Sequence, residues 1–203
     1  MRKYLKTTNT VNYHLISGAD LPIKSQEYIH AFFNANAGRN FVGFLPDKEA
    51  NKSVILNKHI FPRHYKNSCH FIERMRDVLT RYLPVKSYDI EFKKGCNWVS
   101  ITHECVLEIL KHKDFFMKNF KYSLAIDEWY KQTVVYNSSL MNTVYSSEDE
   151  YKGCMRLIDW KRGNPYSWTI DDVQEILDSD RIFCRKISDE KLARFLYDKF
   201  AIK

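Results

Sequence analysis

The chain has 203 residues, of which 44% are hydrophobic, 15% aromatic and 28% charged, with a formal net charge of +7. Thirteen Tyr, thirteen Phe and four Trp stand against five Pro and six Gly, which excludes a disordered segment, since such segments are poor in aromatic residues. The length suits one domain with its own hydrophobic core, and we predict a single domain over residues 1–203.

The sequence also disfavours membrane-spanning and secreted proteins. No stretch approaches the ~18 consecutive apolar residues of a membrane-spanning helix. The basic start at Arg2 and Lys3 runs into polar residues 7–10, where a signal peptide would be apolar. We expect a cytoplasmic protein, and the positive charge leaves peripheral association with the inner face of a membrane open.

The cysteines, the histidines and the basic residues disfavour disulfide frameworks, metal sites and nucleic-acid binding. Five scattered cysteines without a CxxC pair favour reduced thiols over a disulfide framework or a zinc site. The seven histidines show no metal-binding pair, and the GxGxxG, P-loop, HExxH and GxSxG motifs are all missing. No run of Lys and Arg is longer than two residues, so no nucleic-acid partner is predicted.

The first elements in chain order are a strand, a helix and a second strand. Residues 11–16 favour a buried strand that ends in a turn at residues 17–20. Residues 26–36 carry apolar side chains at helical spacing, with Pro22 and Ser25 before them and Gly38 as the stop, which predicts an amphipathic helix. Residues 41–44 are predicted to form a second short strand.

The middle of the chain begins with a polar, irregular stretch at residues 46–67, which predicts a surface loop. An amphipathic helix is predicted over residues 69–83. Residues 95–101 are strand-like, and Thr102 is the predicted N-cap of the helix that follows.

Three more helices and a strand complete the prediction. Asp127 is the predicted N-cap of one helix, a capping box at residues 169–172 begins another, and Ser188 caps the last. Residues 182–184 predict a short strand between the second and the third of these helices. The alternation of strands and helices predicts an α/β fold with helices packed on a mixed sheet.

Four segments in order resemble one enzyme family. The segments are residues 15–25 (LISGADLPIKS), 95–102 (GCNWVSIT), 126–138 (from IDEW to NS), and 156–160 with 183–186 (RLIDW and FCRK). In this order and spacing the chain resembles glycosyltransferase family 14, the core-2/I-branching β-1,6-N-acetylglucosaminyltransferases and their peptide O-xylosyltransferase relatives, especially the bacterial members. The resemblance extends over residues 11–200.

The resemblance implies a GT-A-like nucleotide-sugar transferase fold with a mixed sheet flanked by helices. It implies an inverting transfer of a sugar, N-acetylglucosamine or xylose, from a UDP-sugar to a hydroxyl of an acceptor glycan or glycoconjugate. In this family the reaction needs no divalent metal, so no cofactor is expected. The product would be cell-surface polysaccharide or glycoconjugate.

The resemblance also assigns residues to the reaction. Glu128 matches the catalytic base of the family, although without the resemblance it would be an ordinary acidic residue in a first helical turn. Arg156 and Lys186 match the basic residues that bind the donor diphosphate, a task suited to a guanidinium and an ammonium. Arg185 either shares this role or faces the other way on its strand.

Three further residues are candidates for the donor or acceptor pocket. Asp20 stands where other GT-A enzymes carry a metal-binding DxD motif, and it shapes the sugar pocket or caps the following helix. Trp98 and Trp129 either offer a flat apolar face to a sugar ring or pack in the core.

A full-length family member carries further strands before the segment at residues 15–25. About two or three βα units of about 30 residues each are therefore expected to be missing here. We expect the N-terminal strands of the sheet to be absent and the chain to be marginally stable. The alternatives to an active enzyme are a non-catalytic basic binding module and an inactive truncated remnant.

Overall fold

The computed structural model describes residues 12–50, 52, 55, 78, 88–123 and 125–200. The chain forms two compact units. Within the described residues, the first unit comprises positions up to 43, positions 98–103 and positions from 143 onward, and the second comprises positions 44–97 and 104–142. The single domain over residues 1–203 stays a prediction.

Short strands and helices alternate along the described residues. The strands are β1 (Asn12–His14), β2 (Asp20–Pro22), β3 (Ser100–Thr102), β4 (Arg156–Ile158) and β5 (Phe183–Arg185). The α-helices are α1 (Gln26–Ala35), α2 (His103–Lys111), α3 (Lys113–Asn119), α4 (Tyr130–Tyr136), α5 (Glu150–Cys154), α6 (Val173–Asp178) and α7 (Glu190–Phe200). Short 3-10 helices occupy Ile126–Glu128, Ser139–Thr143 and Ile170–Asp172.

The first unit contains a mixed sheet of three strands in the order β2-β5-β4. β2 runs antiparallel to the central strand β5, whereas β4 runs parallel to it. β1 and β3 form a separate antiparallel pair in which Tyr13 lies opposite Ile101. These strands confirm the predicted α/β class with a mixed sheet.

Helices cover both faces of the three-stranded sheet because successive side chains of β5 point in opposite directions. Cys184 packs on one face against Ile176 of α6 and Leu192 of α7. Phe183 packs on the other face with Phe33 of α1. Burial of the apolar side chains in these two clusters favours folding of this unit.

A third cluster forms the core of the second unit. It contains Phe116 of α3 and its C-cap Phe120, which pack with Trp129, the N-cap of α4, and with Val134 of α4. Its fully buried members among the described residues are Ile55, Phe92, Phe116, Phe120, Trp129 and Val134. The Phe120 ring meets Phe92 edge-to-face at 70° and Phe116 at a tilted angle of 35°.

Several predicted elements are confirmed with shifts of one or two residues. Helix α1 lies where it was predicted, and Ser25 is its N-cap, since the Ser25 hydroxyl accepts a hydrogen bond from Tyr28 N at 3.2 Å. The capping box of Thr169 and Asp172 is present at the start of the Ile170–Asp172 turn. The strand predicted at residues 182–184 is β5.

Other predictions were wrong in local detail. The predicted strand at residues 41–44 is not a strand, because Asn40 and Phe41 form only isolated bridges, to Val144 and Ser100. The N-cap of α7 is Asp189 rather than Ser188, since the Asp189 carboxylate accepts from Lys191 N at 2.8 Å.

The first predicted strand is less buried than expected. Residues 15 and 16 leave β1 and are exposed, at 41% for Leu15 and 47% for Ile16.

In the predicted strand over residues 95–101, only the last two residues belong to β3. The helix predicted at residues 69–83 and most of the loop predicted at residues 46–67 lie outside the described residues.

Two glycines in the first unit allow the backbone to approach closely. A Cβ at Gly153 would lie 2.6 Å from Ser146 O and 2.9 Å from Val42 O, and a Cβ at Gly43 would collide with Glu150 O. Main-chain oxygens cannot swing away as the end of a flexible side chain can. By contrast, a Cβ at Gly18 would meet nothing within 4 Å.

We therefore predict that Gly153→Ala and Gly43→Ala each lower the free energy of unfolding by about 1–3 kcal/mol, because the added methyl displaces packed backbone. Gly18→Ala serves as the control and should change it by less than about 0.5 kcal/mol. Urea unfolding monitored by circular dichroism measures the three differences. Equal midpoints for all three variants would contradict the close approach.

Candidate active site

Glu128 lies in the second unit, at the end of the Ile126–Glu128 turn and before α4. Its side chain is 41% exposed, and its Oε2 lies 3.2 Å from Lys94 Nζ. The Glu128 main-chain oxygen accepts a hydrogen bond from Gly95 N at 3.0 Å. Glu128 is thus fixed through its backbone while its carboxylate remains open to a ligand.

The predicted cap at Asp127 was wrong. Helix α4 begins at Tyr130, and Trp129 occupies the N-cap position without a side-chain cap. The Asp127 carboxylate accepts instead from Asn97 Nδ2 at 2.8 Å. The positive charge next to Glu128 therefore comes from Lys94 and not from a helix that begins at Asp127.

Side chains of α4 and its C-cap Asn137 hold the extended segment of residues 91–97, from here called the 91–97 segment. Asn137 Nδ2 donates to Glu91 O at 2.8 Å, and Gln132 Nε2 donates to Cys96 O at 2.7 Å. The Thr133 hydroxyl accepts from Lys93 N at 3.2 Å. These bonds take the place of a neighbouring strand and present Lys94 to Glu128.

Asp20 and Arg185 form an ion pair in the first unit. They lie opposite each other in the register of β2 and β5, with Asp20 Oδ1 2.9 Å from Arg185 Nη1. The Asp20 side chain is 1% exposed and its Oδ2 accepts from Ser17 N at 2.5 Å, while Arg185 also donates to the Ser17 hydroxyl. Asp20 thus shapes the turn before β2, and Ser25 rather than Asp20 caps α1.

Trp98 is half-buried in the same unit, and the Arg185 guanidinium lies 4.4 Å from its ring centroid. The Arg185 side chain therefore points towards Trp98 and Asp20. The Arg185 Nε is buried and has no hydrogen-bond partner among the described residues. A sugar contact at Trp98 stays a prediction.

Lys186 follows β5 directly. Its main-chain oxygen accepts from Trp168 N at 2.9 Å, which fixes the backbone at this position. Its side chain is half-buried and has no ion-pair partner within the described part of the chain. The ammonium of Lys186 is thus a charge that a ligand could use.

Arg156 was predicted to bind the donor diphosphate, and the structure does not support this role. The residue is 1% exposed at the start of β4. Its Nη1 donates to Cys154 O at 2.6 Å, its Nη2 donates to Val99 O and the Ser100 hydroxyl at 3.3 Å, and its guanidinium lies 4.2 Å from the Phe183 ring centroid. Arg156 satisfies main-chain carbonyls and connects β4 with Val99 and with Ser100, the first residue of β3.

The pKa of His14 is lowered by burial and by the nearby charge of Arg156. Its Nδ1 lies 2.8 Å from the Ser100 hydroxyl, and its ring centroid lies 4.6 Å from that of Phe33. Desolvation against the neighbouring rings, followed by the positive charges of Arg156 and His30, lowers the pKa of His14 to about 4. The imidazole next to the buried guanidinium is therefore neutral at neutral pH.

Trp129 was predicted to face a sugar or to pack in the core. It is 0% exposed and belongs to the core of the second unit with Phe92 and Phe116. The indole is therefore a core residue, and the sugar contact predicted for it is wrong. Its Nε1 has no hydrogen-bond partner among the described residues.

Sequence reasoning missed Lys94, Asn97 and Lys131, which surround the turn that carries Glu128. None of them stands out in the sequence, because Lys94 follows another lysine and Lys131 lies within a helical pattern. Lys131 follows the turn directly on α4, whereas Lys94 and Asn97 reach it only because the 91–97 segment pairs with α4.

The described part of the chain shows neither a membrane-spanning helix nor a cluster of metal ligands. No helix there is long and apolar enough to cross a lipid bilayer. No group of three or more His, Cys, Asp or Glu side chains there is arranged to hold a metal ion.

The sequence matches a known family. The family model described as Core-2/I-Branching enzyme matches residues 3–180. No curated protein gives a significant match.

The buried position of Arg156 predicts that its substitution affects stability. Arg156→Met should lower the free energy of unfolding by about 2–4 kcal/mol, because the substitution leaves buried carbonyls without donors. Arg194→Met, at an exposed position of α7, is the matched control and should change it by less than about 0.5 kcal/mol. Denaturant unfolding measures both, and an unchanged stability of Arg156→Met would refute the structural role.

Proposed function

The chain belongs to the core-2/I-branching family of glycosyltransferases, and we propose that it transfers N-acetylglucosamine or xylose from a UDP-sugar to a hydroxyl of a glycan or glycoconjugate. Membership in the family makes the chain a glycosyltransferase that uses a sugar donor and a glycan acceptor. The proposal adds the identity of the donor, inversion at the anomeric carbon, independence of metal ions and the roles of individual residues.

Glu128 is the proposed general base, and its geometry is the observation that carries the proposal. A base must reach the acceptor hydroxyl, and the carboxylate of Glu128 is 41% exposed on a turn whose backbone is fixed by Gly95. The acceptor oxygen attacks the anomeric carbon as its proton passes to Glu128. The bond between the anomeric carbon and the diphosphate breaks, and UDP leaves with the electron pair.

The ion pair with Lys94 suits this task. Both side chains are partly exposed, at 31% for Lys94 and 41% for Glu128, so the pair is worth at most about 1 kcal/mol. An acceptor can therefore displace Lys94 from the carboxylate at little cost. The ammonium then remains close to the site of proton transfer.

Arg185 and Lys186 are the proposed diphosphate ligands. A leaving diphosphate needs positive charge that is already in place, and Asp20 and Ser17 orient the guanidinium of Arg185 in advance. Lys186 adds a second charge on a backbone position fixed by Trp168. Arg156 is left out of this role because main-chain carbonyls and Ser100 engage its guanidinium.

The donor set around Asp20 supports catalysis without a metal ion. A magnesium or manganese site needs several oxygen ligands, often two carboxylates. The two oxygens of Asp20 accept from Arg185 and from Ser17 N, and no second carboxylate lies within residues 17–20. In the proposed mechanism the cations of Arg185 and Lys186 do the work that a metal does in other enzymes.

The general-base role predicts the effect of Glu128→Gln. The amide cannot take the proton, so the rate of transfer should fall by about 10²–10⁴-fold with the fold unchanged. Transfer from UDP-N-acetylglucosamine and from UDP-xylose to a panel of glycans, measured as release of UDP, tests this. The control is Glu148→Gln at an exposed position, which should keep full activity. Full activity of Glu128→Gln would remove the general base.

The diphosphate role predicts binding of UDP in the presence of a chelator. Calorimetry should give a micromolar dissociation constant, about −8 kcal/mol. The double variant Arg185→Lys/Lys186→Met keeps a partner for Asp20 but should bind at least about 10-fold more weakly, since it loses the planar guanidinium and one charge. Arg194→Met should bind like the wild type.

Two results of this titration would contradict the proposal. Unchanged affinity in the double variant would remove Arg185 and Lys186 from the donor site, and binding that requires Mn²⁺ would remove the metal-free mechanism. Retention on DNA or acidic vesicles without UDP binding would instead favour a basic binding module.

A further inference from the structure

Lys131 is a buried lysine next to the turn that carries Glu128, and the mechanism above gives it no role. The residue is 3% exposed within α4. Its Nζ donates to Asn97 Oδ1 at 2.5 Å and to the main-chain oxygen of Asp127 at 2.6 Å. It also lies 4.4 Å from the ring centroid of Tyr130.

These contacts form a closed ring of hydrogen bonds. Asn97 accepts from Lys131 through Oδ1 and donates through Nδ2 to Asp127 Oδ2 at 2.8 Å. Asp127 therefore contacts the ring twice, through its carboxylate and its main-chain oxygen. The next peptide unit carries Glu128, whose own main-chain oxygen accepts from Gly95.

We propose that Lys131 is a positioning residue for Glu128, whose ammonium ties the turn at Asp127 to the 91–97 segment and so fixes the carboxylate for proton transfer. The proposal rests on the proposed function, because it gives Lys131 a purpose only if Glu128 is the base. Lys131 is buried and acts through its contacts with Asp127 and Asn97.

Burial of the Lys131 ammonium is unfavourable in free energy compared with burial of an apolar side chain. This argues that the charge of Lys131 has a function. Desolvation of a lysine ammonium is strongly unfavourable unless hydrogen-bond partners or opposite charges compensate for it. A neutral side chain could fill the same volume, and a buried methionine would need no partner. The charge-assisted bonds to Asp127 and Asn97 are stronger and better directed than neutral ones.

The protonation of Lys131 can change close to neutral pH. Burial lowers the pKa of Lys131 to about 8, against the opposing effect of nearby negative groups. Deprotonation would weaken both charge-assisted bonds and remove a positive charge near the turn. The titratable groups that face this ammonium are Asp127 and Glu128 on the turn, Cys96 on the 91–97 segment and Tyr130 on α4, while Lys94 pairs with Glu128.

The test is a pH titration of the Glu128 side chain by NMR. The protein is labelled with ¹³C at the glutamate carboxyls, and the Glu128 signal is assigned by its loss in Glu128→Gln. In the wild type this signal should show a step centred near pH 8, where Lys131 loses its proton. Lys131→Met should abolish the step, whereas Lys113→Met, at an exposed position of α3, should retain it.

A wild-type signal without a step near pH 8, or a step that persists in Lys131→Met, would overturn the proposal. The wild-type titration decides the matter even if Lys131→Met fails to fold. A second readout is the pH profile of transfer, in which kcat of the wild type should fall above about pH 8 while that of Lys131→Met is low and flat. A structural role alone would lower stability without changing the profile.

The two proposals fail in different experiments. If Glu128→Gln keeps full transfer activity, the general base is wrong whatever the titration shows. If Glu128→Gln loses activity but the Glu128 signal does not respond to Lys131, only the positioning role is wrong.

Discussion

A charge that leaves water must find partners, and this constraint determines the local structure at three places in the chain. Asp20, Lys131 and Arg156 are almost completely buried. Each is compensated by groups that are distant in sequence: Asp20 by Arg185, Lys131 by Asn97, and Arg156 by Val99 and Ser100. An unpartnered charge at any of these positions would cost a large part of the stability of a protein of this size. The three charges therefore connect segments that are distant in sequence: β2 with β5, α4 with the 91–97 segment, and β4 with Val99 and β3.

The same constraint separates structural charges from those that remain open to a ligand. The guanidinium of Arg156 is engaged by main-chain carbonyls, whereas Lys186 has no ion-pair partner among the described residues. Glu128 has a partner in Lys94, but both side chains are partly exposed and the pair is weak. The buried charges thus stabilise the structure of each unit, whereas the partly exposed charges near them can bind a ligand or take up a proton.

The sequence predicted the family, the α/β class and many of the elements, because these depend on periodicity, capping residues and motifs in order. It did not predict β2, β4, α3 or α5. Helix α1 with its cap at Ser25 follows from such local signals. The burial of Arg156 does not follow from residue type. Arg156 and Ile158 lie two positions apart on β4, so both side chains point to the same buried face. The alternation of side chains along a strand could have indicated this burial. The cap at Asp127 was wrong because Asn97, thirty positions earlier, binds its carboxylate, and local patterns carry no information on such a partner.

The central claim is a single displacement in which Glu128 takes the proton of the acceptor. The anomeric configuration of the product tests it most directly. Transfer from an α-linked UDP-sugar in the presence of a chelator, followed by proton NMR of the product, should give the β-linked sugar. An α-linked product would show retention, which requires a different mechanism and a different role for Glu128.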